Sequence, residues 1–139
     1  MKYLLDTSAC IAVLNGRPAA VRARLAWEFG RRRAIQVPSI AVYELWFGVA
    51  KSRDTEASRG ALRDFLSTGV EVASLDAGDA EAAGRLRAAL EPSGRPIGPY
   101  DTLIAGQALA RDLVLVTANQ REFARVKGLR WEDWAAGAP

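Results

Sequence analysis

The sequence has no histidine and only one cysteine, Cys10, among its 139 residues. The first absence excludes Ser-His-Asp and Cys-His hydrolases, ribonuclease chemistry built on paired histidines, and zinc sites that use imidazole. The second excludes a disulfide framework and cysteine-based structural zinc, and it fits a reducing compartment. Long apolar runs are missing too: nothing approaches the roughly 20 residues that span a bilayer. The N-terminal Met-Lys-Tyr-Leu-Leu-Asp meets a carboxylate too soon for a signal peptide, so a cytoplasmic protein without a membrane segment is expected. Any catalysis must then rest on carboxylates, hydroxyls, amines or a bound metal.

What is present fits an ordinary globular protein. Half the residues are apolar and a quarter are charged, and mean hydropathy is near zero at −0.03. The length suits one domain, expected over residues 1–139. Lys and Arg number 19 against 16 Asp and Glu, and the sequence pI is about 9.4. Most of the cations are Arg, the better bidentate reader of phosphate. The same bias arises from a GC-rich genome, so the charge permits a polyanionic partner and equally a solvated surface.

Lys2–Leu5 reads as a strand that stops at Asp6-Thr7-Ser8, a strand end followed by a helix cap. Cys10 to Leu14 predicts a short helix closed by Asn15-Gly16, and Pro18 opens a second that runs to about Arg33. Ile35-Gln36-Val37 predicts a second strand, with Ser39 capping the helix that follows. From Ile40 to Ala50 that helix carries one charge, Glu44, which predicts burial nearly all round. A helix over 55–68, a strand over 70–75, and an Ala-rich helix from its Asp76 cap to Leu90 come next. Tyr100 to Arg111 predicts another apolar helix, and Leu113 to Thr117 a short β-branched strand. The tail holds one helical turn after Gln120, then Trp131 and Trp134. Alternating strands and helices predict an α/β domain: a short central parallel sheet of four or five strands with helices on both faces. Such sheets bind ligands at the carboxyl ends of their strands, where Asp6 and Asn119 fall.

Most acids, among them Glu28, Asp64, Glu81 and Glu132, sit in polar or Arg-containing stretches and read as solvated faces. Asp6, Glu44 and Asp101 stand instead in apolar surroundings, and an unpaired buried carboxylate costs several kcal/mol at least. Singly, Asp6 reads as a helix cap and Asp101 as an acid at a positive helix start. Three such acids, each at an element end or first turn, point to a shared hard divalent cation, Mg²⁺ or Mn²⁺. Thr117, Asn119 and Glu122 add a hydroxyl, an amide oxygen and a carboxylate just past the last strand. Asn119 reads equally as a turn former, and Glu122 as a helix start.

In this order, Leu4-Leu5-Asp6-Thr7-Ser8, Pro38-Ser39 through Glu44-Leu45 with Gly48, Ile97 through Ala105, and Val116-Thr117-Ala118-Asn119 through Glu122-Phe123 resemble the PIN-domain ribonucleases. More narrowly they resemble the VapC toxins of bacterial toxin–antitoxin pairs, and the likeness covers essentially the whole chain. It implies a PIN-like fold and an Mg²⁺-dependent endoribonuclease, with Mn²⁺ as a substitute. Asp6, Glu44 and Asp101 match the family's acidic metal ligands. Asn119 matches a fourth position that is Asp in many members, with Thr7, Ser8, Thr117 and Glu122 in support. The resemblance also implies RNA as substrate, transfer or ribosomal RNA first, together with a VapB-type antitoxin and a homodimer. Arg31-Arg32-Arg33, Arg121, Arg125, Lys127 and Arg130 are candidate phosphate contacts, although the triple-Arg run reads better as a solvated helix end.

Asn119 also allows an alternative: a catalytically reduced PIN-like module that binds RNA or protein. A haloacid-dehalogenase-type phosphatase would carry an Asp where Ser8 stands. A response-regulator receiver would need an N-terminal acidic pair and a late strand-end Lys, and both are missing. Tyr43, Trp46 and Phe47 on the apolar helix could serve a partner contact, with core packing the plainer expectation.

Overall fold

The computed structural model describes residues 1–136; residues 137–139, the end of the expected domain, lie outside the described residues. The chain runs β1 (Lys2–Leu5), α1 (Thr7–Asn15), α2 (Ala19–Gly30), β2 (Ala34–Pro38), α3 (Ser39–Lys51), α4 (Thr55–Leu66), β3 (Glu71–Ala73) and α5 (Ala77–Leu90). It continues through α6 (Pro99–Arg111), β4 (Val114–Val116), α7 (Gln120–Phe123) and β5 (Trp131–Glu132). The sheet is parallel throughout, in the order β3-β2-β1-β4-β5. The chain steps from β1 out to β3 and then returns past β1 to β4, and the right-handed crossovers that parallel strands favour put the helices of the outward and return legs on opposite faces. Accordingly α1 packs against α2, α3 and α4, while α5 packs against α6. The α/β architecture is as expected.

Several details differ from expectation. The first helix begins at Thr7 rather than Cys10, because Asp6 caps it and accepts from the Ala9 N–H at 2.8 Å. Ser39 is not a cap: α3 starts on it, after Pro38, with no side-chain cap bond. The second helix stops at Gly30, and Arg32 just beyond it is left-handed at φ 58. The fifth strand, only two residues long, pairs Trp131 with Leu115 and Glu132 with Val116. It is too short for alternation to reveal.

Helix α3 corrects the expectation of all-round burial. Ala41, Leu45 and Val49 form a single buried stripe at i, i+4 and i+8, whereas Tyr43 is 55% exposed and Phe47 62% exposed. Trp46 is partly buried, with the Arg63 guanidinium over its ring at 5.9 Å. Lack of charge marked an apolar helix. The small and aliphatic residues, not the aromatic ones, occupy its core face.

Glu28 is the second correction. It is fully buried at 0% exposure, with Oε2 accepting from Arg24 Nε at 2.8 Å and from the Tyr3 hydroxyl at 3.2 Å. Arg24 also reaches Glu132 Oε1 at 3.1 Å, an oxygen that accepts from Trp134 Nε1 at 3.0 Å. Glu132 is therefore part of this network rather than a free surface acid. Asp64 and Glu81 are exposed as expected. Asp79 is a further buried acid, held by Arg111 at 2.8 and 3.1 Å and by Gln107 at 3.1 Å. Burial alone would raise its pKa, but Arg111, the Asp76 N–H and Gln107 bring it below the usual carboxylate value. Among the described residues, no helix is long and apolar enough to cross a membrane.

Helices α5 and α6 approach so closely that a Cβ on Gly106 would lie 2.6 Å from the Ala83 backbone, while nothing lies within 4 Å of one on Gly84. Gly106→Ala is expected to destabilise the protein by about 1–3 kcal/mol through overpacking. Gly84→Ala is expected to stabilise it by about 0.5–1 kcal/mol through helix propensity. Urea unfolding of the two variants checks both signs.

Candidate active site

The chain leaves β1 toward β2 on one side and later returns to β4 on the other, so the sheet's topological switch lies between β1 and β4. Crevices of this kind open at the carboxyl ends of the strands. Leu5 pairs with Val116 at that edge, and Asp6 follows directly, its N–H donating to the Val116 carbonyl at 3.0 Å.

Asp6 is 2% exposed. Its Oδ1 accepts from the Ser8 hydroxyl at 2.6 Å as well as from the Ala9 N–H. Burial raises its pKa, opposed by hydrogen bonds from Ser8, Thr117 and Ala9. Cap and candidate ligand are thus the same carboxylate. Ser8 also accepts from the Ala118 N–H at 3.0 Å, which ties the loop after β4 to the start of α1. Thr117 is buried, and its hydroxyl accepts from the Asn119 N–H at 2.8 Å. Thr7 donates to Glu44 Oε1 at 2.6 Å, bridging α1 to α3.

Asp101 lies in the first turn of α6. Burial pushes its pKa up to about 6, and the negative charges of Asp6, Glu44 and Glu122 push the same way, while a hydrogen bond from the Asn119 side chain acts against them. Asp6, Glu44 and Glu122 thus lie near enough for Asp101 to feel their charge, and Asn119 lies within hydrogen-bonding reach of it. Glu122 itself faces Arg125 at 3.4 Å. Among the described residues, Asp6, Glu44 and Asp101 form no ion pair.

Those features fit a hard divalent cation: the donors are carboxylate and amide oxygens, and their negative charge is uncompensated. Among the described residues no three acids are already closed into a set that could hold an ion; Glu44 is engaged with Thr7. An ion of the Mg²⁺ type tolerates this, because it keeps several waters and needs only one or two carboxylates. Cys10 plays no part in such a site; it is buried and its thiol is pushed up by that burial.

The expected phosphate contacts divide. Arg121 and Arg125 follow β4 on α7 and just past it, at the site's edge of the sheet. Arg31, Arg32 and Arg33 precede β2, whose first residue pairs with Lys2 at the opposite edge. Arg31 lies over the Trp27 ring at 4.4 Å. Arg130 leads into β5 at that same far edge and pairs with Asp112 at 2.9 Å.

The family model for the PIN domain matches residues 3–129. The chain belongs to the PIN-domain family. It is 41% identical over 135 residues to the tRNA(fMet)-specific endonuclease VapC of Shigella flexneri, a match covering 97% of this chain and 99% of that protein. It is 37% identical over 134 residues to ribonuclease VapC2 of Rickettsia felis, covering 96% and 98%. Among solved structures, VapBC2 from Rickettsia felis bound to a promoter DNA fragment superposes with a TM-score of 0.87 at 35% identity, covering 95% of this chain and 98% of that one. DNA-bound VapBC from Salmonella typhimurium gives 0.87 at 40% identity, covering 96% and 98%.

Uncompensated repulsion in this PIN domain should weaken the metal-free fold. Asp101 binds its proton more tightly folded than unfolded, so it costs stability above about pH 6, and that cost fades as pH falls toward 4. Asp101→Asn is therefore expected to raise Tm in EDTA at pH 8, with a smaller gain at pH 5. Mg²⁺ should raise the Tm of the parent protein more than that of the variant. A lower Tm for the variant at pH 8 would refute the assignment.

Proposed function

We propose that this PIN domain is the ribonuclease toxin of a VapBC-type toxin–antitoxin pair, a cytoplasmic hydrolase that acts as one unit over residues 1–139. The observation that carries the reading is the proximity of Asp6, Glu44 and Asn119 to Asp101 beside the β1–β4 switch, with no cation paired to the three acids among the described residues. RNA is the substrate, transfer RNA before ribosomal RNA, because a relative sharing 41% of its residues is named for tRNA(fMet). A VapB-type antitoxin is the partner, in keeping with the VapBC assemblies that the fold matches. A homodimer is the expected assembly.

Asp6, Asp101, Glu44 and Asn119 would hold Mg²⁺, with Mn²⁺ as a substitute. When bound, the ion supplies charge neutralisation at the scissile phosphate and water of lowered pKa. The chain's own residues set the positions. Ser8 and Thr117 fix Asp6, and Thr7 fixes one oxygen of Glu44. Thr117 also orders the backbone of Asn119, whose side chain hydrogen-bonds Asp101. Arg121 and Arg125 are the cations placed to meet an RNA strand. With water as the nucleophile and the 3′-oxygen as the leaving group, no ribose 2′-hydroxyl takes part, and the products would be 5′-phosphate and 3′-hydroxyl ends. The Asn at position 119 favours a second reading, a catalytically reduced binding module; Glu122, beside the site, supplies a replacement acid.

Asp6→Ala and Asp101→Ala are expected to lower Mg²⁺-dependent RNA cleavage by at least about 100-fold, the loss of several kcal/mol of metal-ion stabilisation. Glu81→Ala, which removes an exposed acid paired with Arg85, should leave it unchanged; buried Glu28 is unsuitable as that control. EDTA should abolish cleavage and Mn²⁺ restore it. Activity equal in all three variants, or 2′,3′-cyclic phosphate ends, would refute the mechanism. Absence of cleavage by the parent protein with either metal would favour the binding module.

A further inference from the structure

The approach of α3 to α6 that brings Glu44 near Asp101 also joins two exposed tyrosines. Tyr43 immediately precedes Glu44, and Tyr100 immediately precedes Asp101. Their rings meet edge to face, with centroids 5.5 Å apart and an interplanar angle of 68°. The two hydroxyls lie 3.3 Å apart. That hydrogen bond raises the Tyr100 phenol pKa, as does, more weakly, the charge of Glu44. Tyr100 is 41% exposed and Tyr43 more so, and neither belongs to the core cluster.

Rings that fix one another yet stay in water contribute little to burial. They are well suited to stacking, because every nucleobase has a π-face and the contact requires no charge. The carboxylates beside them repel phosphate, so an uncharged contact is the means by which this side of the cleft can hold RNA. A base stacked inside a duplex hides its faces, whereas a looped or single-stranded one offers them.

We propose that Tyr43 and Tyr100 form a stacking platform that seats an unstacked nucleobase of single-stranded RNA beside the scissile phosphate. This rests on the ribonuclease reading and names the substrate feature that the site selects. The tyrosines are positioning residues: they hold the strand by its base while the carboxylate cluster faces its backbone.

The test uses the full chain with Tyr43→Ala, Tyr100→Ala, Tyr43→Phe and Tyr100→Phe. The probes are a fluorescein-labelled single-stranded oligoribonucleotide and the same backbone carrying a central run of abasic nucleotides. Binding is read by anisotropy in an Asp101→Asn background, so that it does not depend on cleavage, and KM and kcat are read in the parent background. Each Ala variant is expected to weaken binding and raise KM roughly 5- to 150-fold, the equivalent of about 1–3 kcal/mol per stacked base. kcat should change less, and the Phe variants, which keep the ring, should stay near the parent. The abasic probe should bind the parent weakly and show no further loss on Ala substitution.

Equal losses on intact and abasic RNA, or Phe variants as impaired as Ala, would overturn the platform. So would Ala variants that halve the mass in sedimentation, which would assign the tyrosines to a contact between copies of the chain. If the parent cleaves RNA while the Ala variants bind both probes alike, the platform fails and the ribonuclease reading stands. If nothing is cleaved but the base-dependent binding losses persist, the reverse holds.

Discussion

The hydrogen bonds around Asp6 hold the switch point of the sheet together. Its N–H closes the end of β1 onto β4 through Val116, and its carboxylate starts α1 by accepting from Ala9. The Ser8 hydroxyl, bonded to the same oxygen, takes the Ala118 N–H in turn. Thr7 extends the junction to α3 through Glu44. Three consecutive residues thus join β1, α1, α3 and the loop after β4. Hydrogen bonds to a charged group are worth about 1.5–3 kcal/mol each, enough to offset much of the cost of burying this carboxylate. Without them Asp6 would be neutral or the loop would open.

Buried acids in this protein follow two designs. Glu28 takes Arg24 and the Tyr3 hydroxyl, and Asp79 takes Arg111 with Gln107 and the helix cap. In both, a guanidinium from the chain supplies the countercharge, and the acid serves packing. Asp6, Glu44 and Asp101 receive hydroxyls and amides but, among the described residues, no paired cation. The contrast appears in two residues of the same type: Asp79 is brought below the usual aspartate value, whereas Asp101 is driven up to about 6. Burial raises both. Whether the neighbouring charge is Arg111 or another carboxylate sets the opposite outcomes.

This distinction explains which parts were legible in the sequence. Strand and helix order could be read because nearly every apolar run ends on a cap, a glycine or a proline. The three site acids could be read because each stands in an apolar stretch of the chain, and among the described residues none of them forms an ion pair. Glu28 could not, since Arg24 one turn earlier makes a buried pair look like an ordinary solvated one. Exposure of α3 was hidden because the count that marked it used charge, while the core face is chosen by shape, leaving Tyr43 and Phe47 outside. The Tyr43–Tyr100 pair spans 57 positions and exists only through the approach of α3 to α6. Strand β5 has two residues, fewer than a period-2 pattern needs to show itself.

A cluster of like charges keeps its geometry only if something else fixes its supports. Asp101 sits on the first turn of α6, and the second half of that helix is anchored most firmly. Gly106 lets α6 press onto the Ala83 backbone, Gln107 donates to the carbonyls of Ala73, the last residue of β3, and of Ser74 just after it, and Arg111 clamps Asp79 and Ser74. These bonds tie α6 to α5 and to the end of β3 on the far side of the sheet from β5. Repulsion among Asp6, Glu44 and Asp101 therefore pulls against a helix held at its other end, rather than against a free one. The packed half of α6 carries the stability that its first turn gives up, which is how a small domain holds uncompensated carboxylates within reach of a cation.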